Sequence, residues 1–314
     1  MIVSEIWTGS GLGNQIWHYV VPRVVAEHNG YEFGIEHPER WKARHFMQVD
    51  FGKEVVGGQS QECGGPPIKL PDGITSYYSE LHTPHPVTGF DWMMADPHLF
   101  NIPDNTKIDG SMQHLTYIDP YREKILEWMK YDDNVKVLDY SSDDVCVIQF
   151  RGGDYLTGHS FCPPEYYQMA MVKMKELNPN MEFVIVTDDP TSASNWIPGV
   201  PIVGSAIMDE KDPYQGSIGW YRYPGGPIFV DYSILNTAKN VIISSSTFSF
   251  WPVWLNTEVK NVIAPMYWFD WQRSNGWWRP DDSIVDSWLW LDREGNLLDG
   301  VTCKIKNAEH KGVL

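Results

Sequence analysis

Residues 145 to 264 alternate short apolar runs with helical stretches, and this alternation constrains the fold more than anything else in the chain. Residues 145–150 (Val-Cys-Val-Ile-Gln-Phe) have the length and β-branched make-up of a buried strand. The run stops at Arg151-Gly152-Gly153-Asp154, and Pro164-Glu165 opens a helix reaching about residue 177. Residues 183–186 form the next strand, which ends in Thr187-Asp188-Asp189-Pro190, and Ile202-Val203 is a short further one. A helix over 229–238, a strand over 241–243, the loop Ser244-Ser245-Ser246-Thr247, a helix over 248–255 and a strand over 259–264 complete the series. Strands alternating with helices predict a doubly wound parallel sheet, with ligand loops at the carboxyl ends of its strands.

The amino-terminal part opens in the same way. Residues 2–7 read as a strand, Thr8-Gly-Ser-Gly-Leu-Gly-Asn-Gln15 as a glycine loop, 16–28 as a helix and 31–35 as a second strand. Pro22 is expected to kink or divide that helix, because proline removes a hydrogen bond and crowds the preceding turn. From 37 to 103 no periodicity places an element. Residues 107–110 read as a strand end and 120–130 as a helix. The aspartate-rich stretch 132–144 is the expected linker, which divides the chain into domains 1–140 and 141–314.

A formal charge of −17 over 314 residues argues against nucleic acid or an anionic membrane as partner, since phosphate surfaces demand a basic footprint. It leaves room for a nucleotide, which needs only a few local donors. No apolar run is long enough for a membrane span, and 2–7 does not read as a signal peptide. The four cysteines, at 63, 146, 162 and 303, form no Cys-x-x-Cys pair. An intracellular, cytoplasmic protein with reduced thiols is expected. No metal is expected either: the ten histidines show no His-x-x-x-His spacing, and the chain lacks any Asp-x-Asp pair.

Three polar loops carry the candidate chemistry. Gly9-Ser-Gly-Leu-Gly-Asn14 approaches a dinucleotide fingerprint, with Glu36 near the ribose-binding distance, but Asn14 stands where the third glycine belongs. The loop reads either as a tight turn or, through Gly11, Gly13 and Asn14, as a ligand cradle at a helix start. Arg151 reads either as a partner of Asp154 or as a phosphate clamp beside Gly152 and Gly153. Ser245, Ser246 and Thr247 read as helix caps or as phosphate ligands. Asp188 and Asp189 suit a nucleoside contact or a cap. The aromatic run 267–279 suits packing and sugar stacking equally.

Taken together, these loops resemble the blocks of the α-1,2-fucosyltransferases, glycosyltransferase family 11. Gly11-Leu-Gly13-Asn14-Gln15 is similar to the family's opening Gly-Gly-Leu-Gly-Asn-Gln, and Gln149-Phe-Arg151-Gly-Gly-Asp154-Tyr to its His-x-Arg-Arg-Gly-Asp-Tyr. Thr187-Asp188-Asp189 resembles its Ser-Asp-Asp, and 245–251 its Ser-Ser-Phe-Ser-Trp-Trp. Residues 108–113, with Tyr117, fit a further block. The resemblance implies a GT-B-type fold, two Rossmann-like doubly wound domains facing a cleft, with the amino-terminal domain on the acceptor side. It implies inverting, metal-independent transfer of fucose from GDP-fucose to a sugar hydroxyl, with no cofactor beyond the donor substrate. Arg151 would neutralise the diphosphate, and Asn14 would approach the diphosphate or the acceptor. Gly11, Gly13, Gln149, Gly153, Ser245, Ser246 and Thr247 would line the donor site, and Asp188 would contact the nucleoside. Asp154 would assist acceptor deprotonation or hold Arg151. Gln149 replaces the family histidine and Gly152 its second arginine, so a non-catalytic sugar-binding homologue is the alternative. A nicotinamide-dependent oxidoreductase built on the glycine loop is a further one.

Overall fold

The computed structural model describes residues 1–60, 67–80, 95–207, 226–267 and 281–310. The chain divides into two compact units, Met1–Asp132 and Asp133–Leu314, and the division falls within the aspartate-rich stretch 132–144.

In the first unit four parallel strands lie in the order β2-β1-β4-β3. They are β1 (Ile2–Glu5), β2 (Phe33–Glu36), β3 (Ser76–Ser79) and β4 (Thr106–Asp109). β1 and β4 are buried along their whole length, as strands covered on both faces must be. After β1 the chain turns through Gly9, whose φ of +76° is the left-handed conformation glycine accepts most readily. The helix α1 then runs unbroken over Leu12–Asn29. This corrects the expected helix over 16–28 at its start, because Leu12, Gly13, Asn14 and Gln15 lie in its first turn. Pro22 does not divide it. Val20, Val21, Val24 and Val25 surround the proline and are fully buried, so packing holds the helix together where one backbone bond is lost. β3 falls inside the stretch where no element was expected. It is four half-buried residues, Ser-Tyr-Tyr-Ser, paired residue for residue with β4.

The second unit is a seven-stranded sheet in the order β11-β10-β9-β8-β5-β6-β7. Its strands are β5 (Val145–Phe150), β6 (Glu182–Thr187), β7 (Ile202–Val203), β8 (Asn240–Ile242), β9 (Asn261–Pro265), β10 (Leu289–Leu291) and β11 (Leu297–Leu298). All neighbours pair in parallel except β10 with β11. Chain order runs outward from β5 through β6 to β7, then returns to β8 and continues on the other side. That is the doubly wound order, and it places a topological switch point between β5 and β8. Val147, Ile148, Ile185, Val241 and Ile263 are fully buried in the sheet, each stabilising it by about 1.5–3 kcal/mol through burial. The helix Pro164–Leu177 closes over it through Tyr166, whose hydroxyl donates to the carbonyl oxygens of Ile243 (2.6 Å) and Ile263 (3.2 Å). β10, β11 and the helix Gly300–His310 extend the fold beyond the last element expected from sequence.

Cys146, Cys162 and Cys303 are buried free thiols, and Cys63 lies outside the described residues. Among the described residues no helix is long and apolar enough to cross a membrane. The aromatic run 267–279 lies outside the described residues except for Tyr267.

Candidate functional site

In the second unit Arg151 leaves β5 at its carboxyl end, beside the switch point. Its guanidinium is held on two sides, with Nη2 2.7 Å from Asp154 Oδ1 and Nη1 2.8 Å from Asp188 Oδ2. Tyr155 presents its ring 4.9 Å from the guanidinium carbon. Asp188, which follows β6, also accepts the Gly152 N–H at 2.9 Å, so one carboxylate fixes both the arginine and the backbone that carries it. Asp189 caps the helix Pro190–Trp196 by accepting the Ser192 N–H at 3.0 Å. The two aspartates thus divide the roles the sequence left open: Asp189 is a cap, and Asp188 is the anchor of Arg151.

The glycines of this loop are there for space. A Cβ on Gly152 would sit 2.5 Å from the Asp189 Cβ, and one on Gly153, at φ +52°, would sit 2.9 Å from Asp188 Oδ2. Gly152→Arg, which restores the family arginine, is therefore expected to lower activity and to cost about 1–3 kcal/mol from overpacking. Parallel measurement of turnover and denaturant unfolding checks this, and a variant more active than the parent contradicts it.

On the other side of the switch point, β8 ends in the serine loop. Ser244 Oγ donates to Gln149 Oε1, joining the ends of β5 and β8. Ser245 Oγ donates to the Tyr267 carbonyl oxygen at 3.1 Å. Ser246 Oγ accepts the Phe248 N–H at 3.3 Å and caps the helix Thr247–Leu255. Gln149, Ser245 and Ser246 are buried, whereas Thr247, the first residue of the helix, is half-buried. The serine hydroxyls hold the loop in shape. The amino end of a nine-residue helix then faces the edge where Arg151 lies, a setting suited to an anion.

The first unit presents polar groupings of its own near the carboxyl edge of its sheet. Asn14 in the first turn of α1 accepts from Gln113 Nε2 at 3.4 Å, which brings together the segments following β1 and β4. Gly11 caps α1 in an extended conformation, and Gly13 is buried in its first turn. Beside them Lys107 is 2% exposed, with Nζ 3.0 Å from Glu5 Oε2, 2.5 Å from Glu36 Oε2 and 2.7 Å from Ser60 Oγ. Arg40 adds a second cation 3.2 Å from Glu5 Oε1. Glu36 is thus committed to Lys107, the partner that sequence reasoning missed. No motif signals a lysine whose carboxylates come from β1 and β2.

Glu80, after β3, is buried at 1% exposure, and burial raises its carboxyl to about 7. The Met112 N–H at 2.5 Å and the Tyr117 hydroxyl at 3.2 Å oppose that rise. Ser111 Oγ donates to it as well at 3.3 Å, His114 Nε2 lies 3.4 Å away, and the charge of Asp96 adds to the rise. A carboxyl raised on folding binds its proton more tightly in the native state. Its contribution is therefore complete below about pH 4.5 and is lost as pH rises through about 7. Glu80→Gln is expected to flatten this slope, narrowing the stability gap to the parent by up to about 3 kcal/mol between pH 4.5 and 8. Urea unfolding across that range measures it, and parallel curves would contradict the assignment.

Comparison with known proteins matches residues 108–292 to the model of glycosyl transferase family 11. The chain belongs to this family. It is 25% identical over 174 residues to the O-antigen biosynthesis glycosyltransferase WbnK of Escherichia coli, across 50% of this chain and 53% of that protein. It is 24% identical over 209 residues to an alpha-1,2-colitosyltransferase of Escherichia coli, across 60% of this chain and 66% of that protein. The chain therefore spans between about half and two-thirds of the length of these relatives. Among solved structures, the NodZ alpha-1,6-fucosyltransferase soaked with GDP-fucose aligns at 14% identity and TM-score 0.43, over 95% of this chain and 98% of NodZ. A glycosyl transferase family 9 protein from Veillonella parvula aligns at 16% identity and TM-score 0.41, over 99% and 97%. Two parallel-sheet α/β units are the parts from which a GT-B-type glycosyltransferase is built, and the family match spans the switch point that holds Arg151.

Proposed function

We propose that this chain transfers fucose from GDP-fucose to a sugar hydroxyl with inversion, and that Arg151 rather than a metal ion neutralises the leaving diphosphate. The observation that carries this reading is the doubly wound sheet with a buttressed arginine at its switch point, opposite a helix amino terminus. As the bond between the sugar carbon and the β-phosphate oxygen breaks, negative charge gathers on the diphosphate, and a fixed cation there lowers the barrier. The acceptor oxygen forms the new bond to that carbon, and its proton must leave. In this reading Asp154 first serves as counter-ion to Arg151. The donor diphosphate takes its place, and the released carboxylate, 71% exposed and three residues away, accepts the proton. Asn14 contacts the diphosphate or the acceptor in this reading. One relative is named for transfer of colitose, so family membership alone leaves the donor sugar open.

The test is release of GDP from GDP-fucose in the presence of a chelator, across a panel of oligosaccharide acceptors. Acceptor-dependent release that the chelator leaves unchanged supports the reading. Binding of GDP without turnover of GDP-fucose or any other GDP-sugar would favour the non-catalytic homologue, which Gln149 and Gly152 motivate. The oxidoreductase reading loses its ribose partner, because Glu36 is paired with Lys107.

A further inference from the structure

At the carboxyl end of β2 the first unit forms a cavity of about 530 Å³, the size of a small-molecule site, lined entirely by described residues. β2 is an edge strand, and the chain beyond it folds back along the open edge. Gly34 and Gly52 face each other in an antiparallel bridge, and the Lys53 N–H donates to the Phe33 carbonyl oxygen at 2.8 Å. This approach needs glycine, since a Cβ on Gly52, at φ +74°, would sit 2.2 Å from that oxygen. Residues 35–39 then form one wall of the cavity and residues 51–58 the other.

The two walls differ in chemistry. On one, Phe51 is half-buried, its ring held edge-on by the buried rings of Tyr19 and Trp41, each 6.1 Å away. A fixed aromatic ring is a platform for the apolar face of a sugar. On the other, His37 holds a left-handed backbone at φ +58°, ψ +48°, uncommon for a residue with a side chain and concentrated at ligand sites. His37 Nδ1 lies 3.1 Å from Glu39 Oε1, so the imidazole and the carboxylate stand together as a hydrogen-bonding pair. The carboxylates at this end of β2 already face cations, Glu36 through Lys107 and Glu39 through Arg40, 4.0 Å away. Glu54, on the same lining, is exposed and screened by water. Glu39, though paired, keeps further acceptor positions for hydroxyl groups. An aromatic platform facing such a pair suits a neutral ring with one apolar face and hydroxyls at its edge, rather than a cation.

We infer that this cavity is a saccharide-binding site, with a neutral sugar ring on Phe51 and its hydroxyls on Glu39 and His37. It rests on the proposed function in taking that sugar as part of the acceptor glycan, and separate readouts tell the two apart. Parent, Phe51→Leu and Glu39→Ala are titrated with a panel of neutral oligosaccharides, with spermine and with GDP, and unfolding curves confirm each fold. The parent is expected to bind at least one neutral oligosaccharide, and each variant to weaken that binding about fivefold or more while GDP binding is unchanged. Glu39→Ala changes an exposed side chain and decides the matter if Phe51→Leu does not fold. Saccharide binding that the variants leave within about twofold of the parent would overturn the inference. So would a parent that binds no oligosaccharide of the panel, or one that binds spermine through Glu39 and no saccharide; these results leave the proposed function to its own test of GDP release. A parent that binds saccharide through Phe51 and Glu39 yet releases no GDP from GDP-fucose would overturn the proposed function and leave this site standing.

Discussion

Replacing Arg151 by alanine is expected to lower kcat/KM for sugar transfer by about 10²- to 10³-fold, the range seen when a fixed donor to developing charge is removed. The loss should exceed that of an ordinary surface cation because this guanidinium is buttressed. Asp188 holds it at 2.8 Å while accepting the backbone N–H of Gly152, so the arginine is oriented before any ligand arrives. Pre-orientation also makes Arg151→Lys a poor rescue, since an ammonium cannot keep Asp188 on one arm while presenting a flat pair of donors to a phosphate. Stability should change little, because Arg151 is 30% exposed and both of its carboxylate partners reach solvent when released. Steady-state kinetics with each variant, beside unfolding curves, decides the point. An alanine variant that transfers sugar at the parental rate would remove Arg151 from the mechanism.

The largest stability effect is expected at Lys107, far from that arginine in sequence. Lys107→Met leaves the carboxylates of Glu5 and Glu36 buried at 6% and 5% exposure without the ammonium between them. Breaking a buried charge pair by removing one partner costs about 3–5 kcal/mol, because the remaining charge is stranded in a poor solvent. Here two carboxylates are stranded, and Arg40 compensates only Glu5. Glu5 ends β1, Glu36 ends β2 and Lys107 lies in β4, so the loss should appear as opening of the first sheet. Amide hydrogen exchange, read segment by segment, should show faster exchange in β1, β2 and β4 and little change in β5 or β6. The triple change Lys107→Met, Glu5→Gln, Glu36→Gln should recover much of the stability, since no buried carboxylate is left stranded and Arg40, which loses Glu5, is partly exposed. A Lys107→Met protein as stable as the parent would show that the cluster does not hold these strands.

The second unit was legible in sequence because its long strands are nearly continuous apolar runs. β5 and β6 are buried on both faces, and glycine, aspartate and serine punctuate their ends. β8 and β9 were found for the same reason, to within a residue or two. β3 was not, because it is half-buried with polar ends, and neither were β10 and β11, which lie beyond the aromatic-rich run where no further element was expected. At the candidate site the structure fixes a division of labour that the sequence left open. Asp188 and Asp189 are neighbours with equal claim to a cap, and only the fold shows Asp189 on Ser192 and Asp188 on Arg151. Gln149 and Gly152 read as lost function, yet Gln149 ties β5 to β8 and Gly152 makes room for Asp189. Lys107 gave no signal at all, since its significance comes from strands brought together across long stretches of chain.

The central claim is that the switch point of the second unit binds a guanosine diphosphate through Arg151. Calorimetric titration of the metal-free protein with GDP, UDP and NADH, repeated on Arg151→Ala, tests it most directly. Binding of GDP in preference to UDP and NADH, lost or sharply weakened in the alanine variant, is the predicted result. Absence of GDP binding by the parent, or GDP binding that Arg151→Ala leaves intact, would contradict it.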